Sequence, residues 1–117
     1  MILIKHNKNW GLSEELVSKL AKKALNERGF SEREVELSIC FVGVKKAKEY
    51  NVKYRQMSYI PQVLGFPMSK EKDSDGMIRL GDIVICNNKL KYEAKFQRKS
   101  IDEVLEFWLL HGVDNLL

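Results

Sequence analysis

Val35-Glu36-Leu37-Ser38-Ile39-Cys40-Phe41-Val42 is the stretch that decides the fold. Val35, Leu37, Ile39 and Phe41 alternate with Glu36 and Ser38, a period of two that marks a β-strand with one buried face at its start and two nearer Val42. Toward the N-terminus, Gly29 closes a segment in which Leu16, Val17, Leu20, Ala21, Ala24 and Leu25 recur at helical spacing. Ser13 stands where it can cap that helix, Glu14 and Glu15 suit the positive end of its dipole, and Leu12 can pack on Val17 across the cap. Ahead of it, Ile2 to His6 is a short apolar run ended by the turn-like Asn7-Lys8-Asn9, which predicts a first strand.

Toward the C-terminus the period becomes helical from Lys45 to Arg55. Ala47, Tyr50 (or Asn51) and Tyr54 share one face, and Lys45, Lys46, Lys48 and Lys53 surround the rest. Val63-Leu64-Gly65-Phe66, stopped by Pro67, and Ile78 to Ile85 predict a hairpin whose long mobile loop is the polar stretch Ser69 to Gly76. Asn87 and Asn88 break the second of these strands, and Lys89 to Lys99 reads as a short helix or turn. Ser100-Ile101-Asp102-Glu103 is a capping box that opens a final helix with Ile101, Val104, Leu105, Trp108 and Leu109 on its buried face. The order strand, helix, strand, helix, strand, strand, helix, helix predicts an α+β chain, one domain over residues 1–117 with a small mixed sheet covered by helices.

Composition narrows the function. At 117 residues, with 44% hydrophobic and 31% charged side chains, the chain has enough apolar surface for one ordinary core and is not disordered in character. No apolar run reaches the roughly 20 residues that span a bilayer, and Met1 to His6 is too short for a signal peptide, so the expectation is a soluble, cytoplasmic protein with no membrane association. Cys40 and Cys86 lie in apolar strand segments without Cys-x-x-Cys spacing, which predicts core thiols and neither a disulfide nor a thiolate metal site. The glycines never form Gly-x-Gly-x-x-Gly or a P-loop, which argues against a nucleotide cofactor.

Four features carry chemistry. His111 follows Trp108 by three residues and falls at the edge of the final helix's core face; Asn115 lies one turn beyond it, at the spacing that paired metal-binding histidines use. Asp82 stands among strand residues, where a carboxylate needs a hydrogen-bonding partner unless it points to solvent. Arg55 ends the basic helix and offers a planar fork that can grip a phosphate. Two segments, Lys45 to Arg55 and Lys89 to Lys99, each carry five cations against one acid, a balance suited to a polyanionic partner.

Taken together, several segments resemble the YbeY-type rRNA maturation factors, zinc-dependent endoribonucleases of single-stranded RNA with a zincin-like fold. Leu37-Ser38-Ile39-Cys40-Phe41-Val42 is similar to the family's second strand, and Asn51-Val52-Lys53-Tyr54-Arg55 resembles its Leu-Asn-x-x-Tyr-Arg element, with Tyr50 at the leucine. Val63-Leu64-Gly65-Phe66-Pro67 is similar to Val-Leu-Ser-Phe-Pro, and Leu80-Gly81-Asp82-Ile83-Val84-Ile85 matches the Leu-Gly-Asp-Ile-Val-Ile strand. His111-Gly112 falls where the family begins its His-Gly-x-x-His motif.

The resemblance implies hydrolysis of single-stranded rRNA during ribosome maturation. His111 would be a zinc ligand, Arg55 and Asp82 catalytic residues, and Lys45, Lys46, Lys48, Lys53 and Arg55 RNA contacts; the ribosome or a ribosomal protein is the implied partner. The departures fall on the chemistry. Ser58-Tyr59-Ile60-Pro61-Gln62 replaces the family's polar loop, Gly65 takes a serine position and Asn115 takes the second zinc-ligand position. The sequence reaches Leu117 before the third histidine, so the expectation is a degenerate or truncated metal motif. The alternative is a catalytically impaired relative that keeps RNA or ribosome binding.

Overall fold

In a computed structural model describing residues 1–117, strands β1 (Ile2–Lys5), β2 (Val35–Val42), β3 (Val63–Pro67) and β4 (Ile78–Cys86) form one sheet in the order β1-β2-β4-β3. The first three strands of that order run parallel, and β3 pairs antiparallel with β4 at the edge. Helices α1 (Glu14–Glu27), α2 (Val44–Arg55), α3 (Asn87–Gln97) and α4 (Ile101–Leu116) complete the α+β architecture, with a 3-10 turn at Lys8–Trp10.

The alternation in β2 now has a cause on each side. Val35, Leu37, Ile39 and Phe41 join Ile83 and Ile85 of β4 in the main core, under α1, α3 and α4. Val42 faces the other way and, with Val84, Cys86 and Leu64, packs on Ala47 of α2. A strand covered on both faces only toward its C-terminal end therefore reads apolar on both faces only there.

β4 does not keep a strict period of two. Glu36 of β2 meets Arg79, but Leu37 meets Gly81, so Leu80 is an extra residue in the ladder, a β-bulge. Gly81 takes φ +136°, and a Cβ there would stand 2.2 Å from the Phe66 carbonyl oxygen, so no larger residue fits the turn of the strand. Counting by twos from the buried Leu80 would put Asp82 inside. The bulge reverses the phase and leaves Asp82 exposed, while Ile83 takes the core position.

Elsewhere the elements follow the sequence with local differences. Asn87 ends β4 as its residue type suggests, and it opens α3 directly with no intervening turn, its side chain buried. The polar stretch after β3 is drawn together by a Lys72–Ile78 bridge and a turn from Asp73 to Gly76. Arg79 ties it down through ion pairs with Asp73, Asp75 and Glu36. Ile101, placed on the buried face of the final helix by its spacing, is exposed, because the first turn of α4 overhangs the core. Leu116 is buried in the main core. No helix is long and apolar enough to cross a membrane.

Candidate active site

A cleft of about 820 Å³ opens between α4, β3 and the loop that leads from α2 into β3. Arg55, Lys89, Phe107, Trp108, His111 and Asn115 all line it, and no Asp or Glu does. Two obligate cations without an acid in a concave surface give it a positive potential, which concentrates an anionic ligand there.

α4 supplies one wall. Its capping box is complete: the Ser100 hydroxyl accepts from the Glu103 amide at 3.1 Å, and the Ser100 amide donates to the Glu103 carboxylate at 3.2 Å. From that start, Phe107, His111 and Asn115 recur every fourth residue and so project along one stripe. Two glycines let the end of this helix lie close on the sheet. A Cβ on Gly112 would come within 2.9 Å of the Ile83 side chain, and one on Gly65 of β3 within 2.8 Å of the Asn115 Cβ. The glycine after His111 is thus a packing requirement that fixes how far the imidazole stands from β3.

Arg55 is delivered from the other side. Tyr54 and Tyr50 meet Phe66 of β3 edge-on, with ring centroids 5.2 and 6.2 Å apart, which docks the C-terminal turn of α2 against the sheet edge. The buried Asn51 donates its amide to the Tyr59 carbonyl at 2.9 Å and so holds the loop whose Tyr59, Pro61 and Gln62 form the lip of the cleft. Lys89 arrives on the first turn of α3.

Of the residues singled out from the sequence, His111 and Arg55 come together in this cleft. Lys45, Lys46, Lys48 and Lys53 stay on the exposed surface of α2, where Lys46 and Lys53 lie over the rings of Tyr50 and Tyr54 at 5.2 Å. Asp82 is not brought in. It lies on the opposite face of the sheet from α4, beside Ser38 and Phe66, for the reason the bulge gives. Phe107 and Tyr59 were not singled out, yet both line the cleft, and Phe107 is 69% exposed. The signal for Phe107 was its position four residues before His111, on the same stripe as the histidine.

Metal donors are scarce. No group of three or more His, Cys, Asp or Glu side chains is placed to hold a metal ion, and the carboxylate cluster of Glu36, Asp73 and Asp75 is occupied by Arg79. Asp114, three residues from His111, points to α1 instead, where Arg28 binds it through Nε at 2.5 Å and Nη2 at 2.9 Å. That pairing holds the Asp114 carboxyl below its ordinary pKa. Asn115 offers only a neutral amide oxygen, a donor suited to hard cations.

Residues 3–117 match the family model described as Endoribonuclease YbeY. The chain belongs to the endoribonuclease YbeY family. It is 33% identical to Endoribonuclease YbeY of Mycoplasma mycoides over 93% of this chain and 68% of the relative. Against the same-named protein of Thermodesulfovibrio yellowstonii it is 37% identical over 69% of this chain and 50% of the relative, and against that of Cellvibrio japonicus 31% over 90% and 58%. It thus spans about half to two-thirds of the length of these family members. The fold is shared with the solution structure of TM1509 from Thermotoga maritima, at a TM-score of 0.65 and 20% identity, covering 99% of this chain and 71% of that one.

The resemblance implied a zinc centre, and the donor set of residues 1–117 does not fit one. A catalytic zinc takes three protein ligands and keeps a fourth position open. Here one imidazole, His111, and the neutral amides of Asn115 and Gln62 face the cleft, and the carboxylate three residues from His111, Asp114, is bound to arginine.

Proposed function

We propose that this chain acts on single-stranded rRNA in the cytoplasm during ribosome maturation, as an endoribonuclease of its family. One observation carries the reading: Arg55, Lys89, Phe107 and His111 converge from three helices on one acid-free cleft. Arg55 and Lys89 would hold successive phosphates, the guanidinium through two parallel N–H bonds. Phe107 and Tyr59 would offer flat faces for unstacked bases, a contact available in single strands and not in a duplex. His111 would stand beside the held backbone. The exposed lysines of α2 would extend the attraction to flanking phosphates, and a ribosomal surface is the natural partner for such a face.

Hydrolysis is the reaction proposed. The residues of this chain bind and orient the strand; the further donors that a family zinc would require are not among them. Cleavage and binding of a single-stranded rRNA segment and its duplex, measured for the wild type, Arg55→Ala and His111→Ala, test the proposal. We expect preference for the single strand, with about a tenfold loss of binding in Arg55→Ala, the scale of a charge-assisted hydrogen bond. His111→Ala is expected to lose cleavage with binding retained. Absence of RNA binding would overturn the reading, and binding without cleavage by the wild type would select the catalytically impaired relative instead.

A further inference from the structure

The outer surface of α3 carries two large rings that packing does not explain. Tyr92 and Phe96 are 60% and 72% exposed, yet their rings lie 11° from parallel with centroids 5.9 Å apart. At 3.6 residues per turn, Lys89, Tyr92 and Phe96 share one stripe, which begins at the cleft and runs about 10 Å along the helix. Lys91 and Lys95 form a parallel row on one flank. On the other flank Glu93 and Gln97 are hydrogen-bonded to each other at 2.8 Å. Asn87, Leu90 and Ala94 form the buried face of the helix.

The charges point the same way. Lys89, Lys91, Lys95, Arg98 and Lys99, like the lysines of α2, form no ion pair within the fold. A partner that covers this face must offer flat apolar surface to the rings and regular negative charge to the lysine row beside them. Single-stranded RNA offers both in each nucleotide. An acidic peptide matches the lysines alone, because nothing in its carboxylates answers a parallel ring pair.

We propose that this face of α3 is a second site for single-stranded RNA, continuous with the cleft, in which bases stack on Tyr92 and Phe96 while phosphates follow Lys91 and Lys95. Glu93 on the far flank repels a phosphate backbone and so sets which way the strand lies. The inference rests on the RNA reading of the cleft, since Lys89 joins the two surfaces.

Fluorescence anisotropy of the full chain with a uridine tetramer and a uridine dodecamer separates the two sites, because the tetramer is too short to occupy both. Replacing both rings, Tyr92→Ala with Phe96→Ala, is expected to weaken the dodecamer at least about tenfold and to leave the tetramer within about twofold. Tyr92→Phe with Phe96→Tyr should restore the dodecamer, and Lys91→Glu with Lys95→Glu should flatten its salt dependence. A double alanine variant that binds the dodecamer as the wild type does overturns the second site and leaves the cleft reading standing. A tetramer that binds the wild type no better than Arg55→Ala overturns the cleft reading instead. Poly-glutamate binding that depends on Tyr92 and Phe96, with RNA indifferent to them, overturns the proposal in favour of a protein partner.

Discussion

At Gly65 the space is as informative as any side chain. Its φ is unexceptional; what it supplies is the absence of a Cβ that would stand 2.8 Å from the Asn115 Cβ and 3.5 Å from the Gly112 carbonyl. The resemblance places a serine at this position and a zinc ligand at Asn115, so both departures meet at one contact. Gly65→Ala is expected to destabilise the fold by about 1–3 kcal/mol, the usual range for overpacking. The same substitution in an Asn115→Gly background should cost at least about 1 kcal/mol less, since residues in contact are not additive. Urea unfolding of the four proteins measures this, and equal costs in both backgrounds would show that the contact does not limit how closely α4 approaches β3.

Among the elements, α4 does most to build the cleft. Its N-terminus is tied by the reciprocal Ser100–Glu103 bonds, its middle buries Trp108 and Leu109, and its end rests on Ile83 through Gly112. The buried face of Val104, Leu105, Trp108, Leu109 and Val113 sets the rotation that leaves Phe107 and His111 lining the cleft, and the exposed ion pairs Lys23–Glu106 and Arg28–Asp114 tie the helix to α1 and the residue that follows it. Loss of the cap should fray the first turn without disturbing that rotation. Ser100→Ala is therefore expected to lower stability by about 1 kcal/mol, the typical value of an N-cap, while RNA affinity at low temperature stays unchanged. Thermal unfolding by circular dichroism together with anisotropy reads both quantities.

Across the whole molecule, ionisable contacts limit the pH range of stability from opposite sides. Arg28 beside Asp114 holds that carboxyl below its ordinary 3.8, so the contribution is present above this value and is lost as pH falls through the depressed one. Hydrogen bonds from His6 to the Glu14 carboxylate at 3.0 Å and to the Asn7 carbonyl raise the imidazole above its ordinary 6.5. Its contribution is present below 6.5 and is lost as pH rises through the raised value. Melting temperature against pH should thus fall on both limbs. We expect Arg28→Ala to make the acid limb shallower, leaving the share of Asp75, whose carboxyl the Met77 amide and Arg79 also hold below its ordinary value, and His6→Gln to flatten the neutral-to-alkaline limb; a variant that shifts the whole curve without changing its shape would show that the contact adds nothing pH-dependent.

How much of this was legible in the sequence follows from the range of the forces involved. Periodicity, caps and turn residues act within a few positions of each other. The strand at Val35–Val42, the Ser13 and Ser100 caps, the hairpin and the stripe of α4 could therefore be read locally, and the ordered motifs identified the family. The bulge at Leu80 and Gly81 could not be read this way, because it exists only in the pairing of β4 with β2, and it alone put Asp82 on the outside of the sheet. Phe107 as a cleft residue, Asp114 as the partner of Arg28 and the meeting of Arg55 with His111 are likewise tertiary outcomes. They depend on how helices separated by tens of residues dock on one sheet. By itself the sequence determined which residues sit on which face of each element; only the assembled sheet and helices decided which of those faces meet.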